Sequence, residues 1–284
     1  MKNRILLRSL MTACAVGLAS PAYAQFEPMP EPMEPTTEPG METPFGGPEL
    51  TSIMQAPNTF QVRVPLAINL SSDFVGKPVS IPVDAYFGLS EQLTLGLTHS
   101  GGVVQAVSPY FPGTGLCLSG SDDCGKTYDN VGFDALFSMM SGVLQLAAHG
   151  GLEIESIDQG TLSLRLGVLF QAPLGENIAL ITDPRLFLGL TDREDTAGGN
   201  KEYLDLPIAV QVWATPGARI AARTGINGPL DGFGDAFRGA LGVFGGFAVN
   251  EMIEIFASFD FFNIYGKNNS ADFRFLTVGV NIQP

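Results

Sequence analysis

The sequence predicts an all-β protein, a closed up-and-down antiparallel transmembrane β-barrel of about twelve strands. Apolar and polar residues alternate through most of the chain from residue 59 onwards. Charged residues make up only 15% of the chain and hydrophobic residues 45%, whereas soluble proteins carry about 25% charged residues. Longer polar connections alternate with short turns. Beyond the N-terminus no run of about 20 apolar residues occurs, which argues against membrane-spanning helices.

The stretch "YFGLSEQLTLGLTH", Tyr86 to His99, illustrates the pattern. Its alternation stops at Ser90 and Glu91 and resumes at Leu93, which predicts a hairpin with a very short turn. The same criteria predict strands at 59–71, 79–89, 92–104, 128–139, 142–154, 161–171, 177–190, 202–214, 218–227, 235–248, 252–264 and 271–282.

The two faces of these strands indicate which side meets lipid. In the sixth strand, four large aliphatic residues between Leu162 and Val168 oppose Ser163, Arg165 and Gly167. A soluble barrel would bury the apolar stripe and expose the charges. Here the apolar stripe is unbroken, so we expect it to face hydrocarbon, with the polar stripe lining a lumen. Closure is expected as well, because an open sheet edge would leave unpaired amides in lipid.

The alternation also predicts the residues that line the lumen. This set combines six arginines, seven carboxylates and one histidine: Arg63, Asp84, Asp134, His149, Glu153, Arg165, Asp183, Arg185, Asp205, Arg219, Arg223, Arg238, Glu254 and Asp260. Two interpretations stay open. The charges could form a ladder of ion pairs that fills the interior, or they could tune the selectivity of a water-filled pore.

The N-terminal residues divide into two predicted segments that precede the barrel of residues 59–284. Residues 1–24 have the features of a signal peptide, with Lys2, Arg4 and Arg8 before an apolar stretch and an Ala22-Tyr23-Ala24 cleavage site. Residues 25–58 are rich in Pro and Glu and contain no Lys or Arg. We expect them to form a disordered linker, because proline removes amide donors and like charges repel.

Two cysteines remain after the signal peptide, Cys117 and Cys124, in the stretch "LCLSGSDDCGK". Their proximity in a polar loop of an exported chain favours a disulfide that closes the loop 105–127. Two independent thiols are the alternative. No metal site is expected, because neither histidine is close in sequence and zinc needs about four ligands. The net charge of -14 argues against a nucleic-acid partner.

The signal peptide, the hairpin stretch and the closing strand "FRFLTVGVNIQP" together resemble Gram-negative outer-membrane β-barrel proteins. The resemblance covers roughly residues 59–284 and implies an outer-membrane location after secretion to the periplasm. It also implies contacts with outer-membrane lipid, with lipopolysaccharide and with the barrel-insertion machinery. The chain ends in Ile282-Gln283-Pro284, whereas many such barrels end in Phe or Trp.

The function predicted from these features is non-enzymatic, either a channel for small solutes or a structural envelope protein, with no catalytic residues and no cofactor. One alternative is a lipid-modifying hydrolase that uses His149, although no serine can be placed beside it and the Gly-x-Ser-x-Gly motif is absent. A second is a surface-binding or adhesion barrel that acts through the loop 105–127. A third is a soluble periplasmic barrel.

Overall fold

The computed structural model describes residues 52–100, 107–109, 115–119, 128–157, 160–194 and 200–283. Within them the chain forms fifteen strands and one short helix: β1 Phe60–Asn69, β2 Val79–Ile81, β3 Asp84–Ser90, β4 Leu93–Thr98, β5 Leu116–Ser119, β6 Val131–Met140, β7 Gln145–Ser156, β8 Thr161–Gly175, β9 Ile178–Thr182, β10 Arg185–Gly189, β11 Tyr203–Thr215, β12 Ala218–Pro229, α1 Phe233–Ala236, β13 Arg238–Ala248, β14 Ile253–Gly266 and β15 Ser270–Ile282. No helix in these ranges has the length and apolar character needed to span a membrane.

The strands form one closed antiparallel sheet. Each barrel strand pairs with the next one along the chain, and the last strand returns to the first. The pairing of β1 with β15 extends from Val62 opposite Ile282 to Asn69 opposite Phe275. Because this seam joins the last strand to the first over eight residue pairs, the described strands close into a barrel. The predicted closed up-and-down barrel is therefore confirmed.

The fifteen strands correspond to twelve barrel strands, because two barrel strands are each interrupted and one short strand lies outside the barrel circuit. β2 and β3 both pair with β1, so together they form one strand that is broken at Pro82 and Val83. β9 and β10 both pair with β8 and β11 and are separated only by Asp183 and Pro184. Proline has no N–H to donate to a ladder, which explains both interruptions. β5 is an additional short strand that extends the sheet by pairing with β2.

The two faces of the sheet are the reverse of those in a soluble barrel. Arg165 and Asp84 are 1% and 0% exposed, whereas the aliphatic side chains of Leu166, Ile208 and Val210 are about two-fifths exposed. Burial alternates residue by residue along β8 and β11, as the pleat of a strand requires. Charges therefore point into the barrel and apolar side chains point outwards, as the sequence predicts.

The barrel has two different ends. Short turns follow β3, β6, β8, β11 and β13, and they lie at the end where β1 begins and β15 finishes. We call this the turn side, and the opposite end, which carries the longer connections, the loop side. Such a division is typical of outer-membrane barrels, in which the short turns face the periplasm.

The first described residues differ from the sequence-based expectation of a disordered linker up to residue 58. Ile53 and Met54 are buried at 7% and 9% exposure, inside the barrel. Their apolar side chains distinguish them from the Pro- and Glu-rich residues before them. The predicted signal peptide and the rest of the predicted linker, up to residue 51, lie outside the described residues.

The outward face gives a prediction about stability. Val210 lies near the middle of β11 and Phe247 near the turn-side end of β13, and both are exposed on the outer face. We expect Val210→Arg to lower the free energy of unfolding in lipid vesicles by about 2–4 kcal/mol, and Phe247→Arg by roughly 0–1 kcal/mol, because the cost of a charge decreases towards the interface. Denaturant unfolding curves in vesicles measure both values. Equal effects at the two positions would contradict a membrane-embedded outer face.

Candidate functional site

The lumen is the candidate site, because the ionisable side chains converge there. Its charges form two groups that lie on opposite walls of the barrel. The larger group occupies the wall from β6 to β11 and contains Asp134, His149, Glu153, Arg165, Asp183, Arg185 and Asp205. The smaller group consists of three ion pairs on the strands near the closing seam.

His149 lies at the centre of the larger group, between two carboxylates. Its Nε2 is 2.7 Å from Oδ1 of Asp183, and its Nδ1 is 3.2 Å from Oδ2 of Asp134. The side chains of His149 and Asp134 are fully buried and that of Asp183 is nearly so. Both ring nitrogens therefore face carboxylates rather than a hydroxyl that could act as a nucleophile.

Two arginines flank this histidine and extend the network across the wall. Arg165 on β8 lies 3.4 Å from Asp134 and 3.3 Å from Glu153. Arg185 on β10 forms a close ion pair with Asp205 on β11. Burying a charge costs free energy unless the charge is paired. Removing one partner of such a pair leaves the other partner as an uncompensated buried charge. The network thus fills and stiffens this wall.

The three pairs of the smaller group lie near the seam. Arg63 on β1 pairs with Asp84 on β3 at 3.4 Å. The other two pairs join strands that are not neighbours, because each reaches from β12 across β13 to β14. They are Arg223 with Asp260, and Arg219 with Glu254. Both are bidentate, with the Nε of Arg223 2.7 Å from Asp260 and the Nε of Arg219 2.6 Å from Glu254.

Inward-facing glycines make these long reaches sterically feasible. A Cβ at Gly242 would lie 2.9 Å from Cγ of Asp260, and a Cβ at Gly246 would lie 3.1 Å from Cδ of Glu254. On β8, a Cβ at Gly167 would lie 2.6 Å from the ring carbon Cε1 of His149. Gly242 and Gly246 of "GALGVFGG" therefore leave space for side chains that cross over β13.

The lumen is not filled evenly along its length. A cavity of about 520 Å³ opens at the turn side, next to the smaller group. Its walls combine amide, aromatic and ion-paired side chains, among them Arg63, Gln171, Gln211, Trp213, Arg219 and Glu254. Arg219 and Glu254 retain 20% and 16% side-chain exposure, more than the deeper pairs. Within the described residues, this cavity places Arg219 and Glu254 beside open space at the turn side.

Most of the predicted lumen residues lie on the inner face, but Arg238 does not line the buried interior. It is the first residue of β13 and is exposed at the loop-side end of that strand. Its exposure follows from its position at the end of the strand, where solvent can reach a long side chain. Glu153 and Arg219 are only partly buried.

The sequence did not identify the apolar contribution to the lumen. Ile53, Met54 and Val107 pack with inward side chains that include Trp213, Leu169 and Ile181, and we call this set the apolar lumen cluster. Val107 belongs to the loop 105–127 and is 1% exposed. The Oγ of Ser108, its neighbour, accepts a hydrogen bond from Arg185 at 3.4 Å. The sequence feature that could have indicated this burial is the apolar pair Ile53-Met54, which follows an acidic, proline-rich tract.

The cysteine loop is only partly described. Cys117 lies half-buried on β5 and is a disulfide-bonded residue. Cys124 lies outside the described residues, so the pairing of Cys117 with Cys124 stays a prediction. Within the described ranges, no cluster of three or more metal-ligating side chains is suited to hold a metal ion.

No protein-family model matches this sequence, and no curated protein matches it. Solved structures do. The KdgM porin, solved in complex with disordered oligogalacturonate, has a TM-score of 0.53 to this chain at 7% identity, covering 78% of this chain and 98% of that one. The NanC porin has a TM-score of 0.54 at 8% identity with the same coverage, 78% and 98%. The COG4313 outer membrane channel from Pseudomonas putida F1 has a TM-score of 0.51 at 10% identity, covering 83% and 99%.

These similarities establish the fold. The chain has the closed β-barrel architecture of Gram-negative outer-membrane porins and channels, as the sequence resemblance predicted. At 7–10% identity the residues of the lumen do not correspond closely enough for any role to be transferred.

The glycines of β13 provide a matched pair of substitutions. Gly242→Ala would place a methyl group against the carboxylate of Asp260, whereas a Cβ at Gly245 would meet only the carbonyl oxygen of Arg219, at 3.9 Å. We expect Gly242→Ala to destabilise the barrel by about 1–3 kcal/mol through overpacking, and Gly245→Ala to have little effect. Denaturant unfolding followed by the fluorescence of Trp213, the single tryptophan, measures the difference. If both variants were as stable as the wild type, the inward glycines would not be needed for the ion pairs.

Proposed function

We propose that this chain is a narrow, non-enzymatic solute channel in the outer membrane of a Gram-negative bacterium, reached after secretion to the periplasm. The observation that carries the proposal is the inside-out distribution of side chains. Ion pairs and amides line a lumen with a 520 Å³ cavity at its turn side, and apolar side chains cover the outside. The shared fold with outer-membrane channels supports the same conclusion.

The pairing of the lumen charges favours small polar solutes with little net charge. Each of Arg63, Arg165, Arg185, Arg219 and Arg223 lies beside at least one carboxylate. Paired charges largely cancel one another's field, so a permeating ion meets no strong attraction of one sign. Without the exposed Arg238, the predicted lumen set contains seven carboxylates and five arginines, and His149 lies between two of the carboxylates. We therefore expect at most a weak preference for cations.

The partners of such a channel follow from its two surfaces. The outward apolar band would contact outer-membrane lipid, and its loop-side rim would meet lipopolysaccharide. The barrel-insertion machinery would be a further partner, because a closed barrel of this kind has to be placed in the outer membrane. A purely structural envelope protein would have the same surfaces but no continuous path for solutes, so conductance separates the two functions.

Two other functions receive less support. The hydrolase alternative requires His149 to activate a serine near the lipid, but both of its ring nitrogens face buried carboxylates inside the barrel. The adhesion alternative requires an accessible loop 105–127. Val107 and Ser108 of that loop point into the lumen, although most of the loop lies outside the described residues.

Planar bilayers test the channel function and its selectivity. We expect stepwise conductance from the wild type, with a small reversal potential in a KCl gradient. Glu254→Gln leaves the guanidinium of Arg219 without its bidentate carboxylate, so we expect the reversal potential to shift towards anion preference.

Glu176→Gln is the matched control, because it removes the same charge from an exposed residue of the turn between β8 and β9, at the same end of the barrel but outside the cavity lining. We expect a smaller shift from it. Silent bilayers after insertion, verified by heat-modifiable migration on a gel, would remove the channel proposal. Equal shifts from the two variants would mean that the pair of Arg219 and Glu254 does not lie on the conduction path.

A lipid-hydrolysis assay tests the enzyme alternative. We expect no release of fatty acid from phospholipid in mixed micelles by the wild-type protein, since both ring nitrogens of His149 face carboxylates. Hydrolysis that is lost in His149→Ala, with the barrel still folded by heat-modifiable migration, would restore the hydrolase hypothesis.

A further inference from the structure

The residues directly before the barrel fold into its lumen. We call residues 52–57 the pre-barrel segment. Its Ile53 and Met54 are nearly completely buried and belong to the apolar lumen cluster, together with Trp213. All the other members of that cluster, apart from Val107, are inward-facing residues of barrel strands. The segment therefore occupies the interior of the turn side rather than extending away from it.

Hydrogen bonds hold this segment to the inner wall at several points. The backbone N–H of Ile53 donates to Oε1 of Gln145 at 2.9 Å, across 92 residues of sequence. The backbone N–H of Gln55 donates to Oγ1 of Thr94 at 3.1 Å, and its side-chain amide donates to Oε1 of Gln61 at 2.7 Å. Gln145 and Thr94 are buried on the inner face. The contacts thus fix the segment to different strands around the lumen.

A glycine on the inner wall forms the seat of the segment. A Cβ at Gly88 would lie 2.8 Å from the carbonyl oxygen of Gln55 and equally close to the carbonyl carbon of Ala56. The N–H of Asn58 donates to the carbonyl oxygen of Gly88 at 2.7 Å, and the N–H of Gly88 donates to the carbonyl oxygen of Thr59 at 3.0 Å. The backbone of the segment therefore lies where an inward side chain would otherwise be.

A few separate contacts hold this segment in place, whereas continuous backbone ladders hold the strands. Among the described residues, the first strand begins at Phe60, after the segment. Displacing residues 52–57 would break a few side-chain hydrogen bonds and expose two apolar side chains, while the closed ladder from β1 to β15 stays intact. Such weakly attached segments open at lower free energy than the body of a fold.

The segment also forms one wall of the cavity at the turn side. Residues 52–57 line that cavity, and the opposite wall is formed by Arg219, Glu254 and their neighbours. We propose that the pre-barrel segment is a resident plug that narrows the turn-side mouth, and that its displacement widens the path for solutes. This proposal rests on the channel function proposed above.

Two kinds of variant displace the plug in different ways. Gly88→Ala puts a methyl group into the seat without changing the segment. The double variant Ile53→Ser, Met54→Ser removes the apolar contacts without changing the barrel strands. Gly150→Ala is the matched control, because a Cβ there would make only ordinary contacts, with Leu166 at 3.5 Å and with the carbonyl oxygen of Arg165 at 3.6 Å. Heat-modifiable migration verifies that every variant forms a folded barrel.

Two measurements report the result. Trp213 is the single tryptophan and packs in the same cluster as Ile53 and Met54, so its quenching by acrylamide reports whether the plug is in place. We expect both displacing variants to increase this quenching and Gly150→Ala to leave it unchanged. We also expect the single-channel conductance to rise at least about twofold, because a wider constriction passes more ions.

The outcomes separate this proposal from the channel function. Unchanged quenching and conductance in both displacing variants, with a conducting wild type, would overturn the plug and retain the channel. Increased quenching with unchanged conductance would show that the segment moves but does not restrict the path, and would also overturn the plug. Increased quenching with no conductance from any protein would overturn the channel function, and the plug with it.

Discussion

Each arginine that is buried inside this barrel needs a carboxylate within reach, because its surroundings are too enclosed to hydrate an isolated guanidinium. Pairs such as Arg223 with Asp260 satisfy this requirement by spanning an intervening strand. That span is feasible only where the intervening strand presents a glycine, as at Gly242. The positions of the charges, the positions of the inward glycines and the narrowness of the lumen are therefore linked. Changing one of them imposes changes on the others.

The barrel consequently has regions of very different stiffness. The wall from β6 to β11 is held by the backbone ladder and by a charge network around His149. The seam is held by a ladder of eight residue pairs between β1 and β15. The pre-barrel segment has neither kind of support and depends on side-chain contacts. Any conformational change that alters the path is more readily accommodated by this segment than by the strands.

The sequence predicted the strands and their faces well, because the period of a strand fixes which side chains share a face. In β8 the alternation alone identified Arg165 as an inward residue, and its side chain is 1% exposed. The twelve strands followed from alternation together with turn signals. Proline at positions 82 and 184 interrupted two of them, which a pattern of apolar residues does not reveal.

The contents of the lumen were much harder to predict. Alternation predicts which residues face inwards, but it does not predict which of them contact each other across an intervening strand. The ion pair of Arg219 with Glu254 is therefore not predictable from it. Gly242 and Gly246 leave space for side chains that cross β13, and alternation alone does not reveal such a role for a glycine. Ile53 and Met54 were assigned to a linker by the composition around them. Their burial depends on partners such as Gln145, far away in sequence.

The outward face, finally, has a consequence for how such chains diverge over evolutionary time. Leu166 and Val210 face outwards, where lipid places little demand on the shape of a side chain, so mutation can exchange them for other apolar residues without compensation elsewhere. Asp260, whose carboxylate packs against Gly242, cannot be exchanged in this way, because it is the partner of Arg223. About half of every strand can therefore drift while the architecture persists.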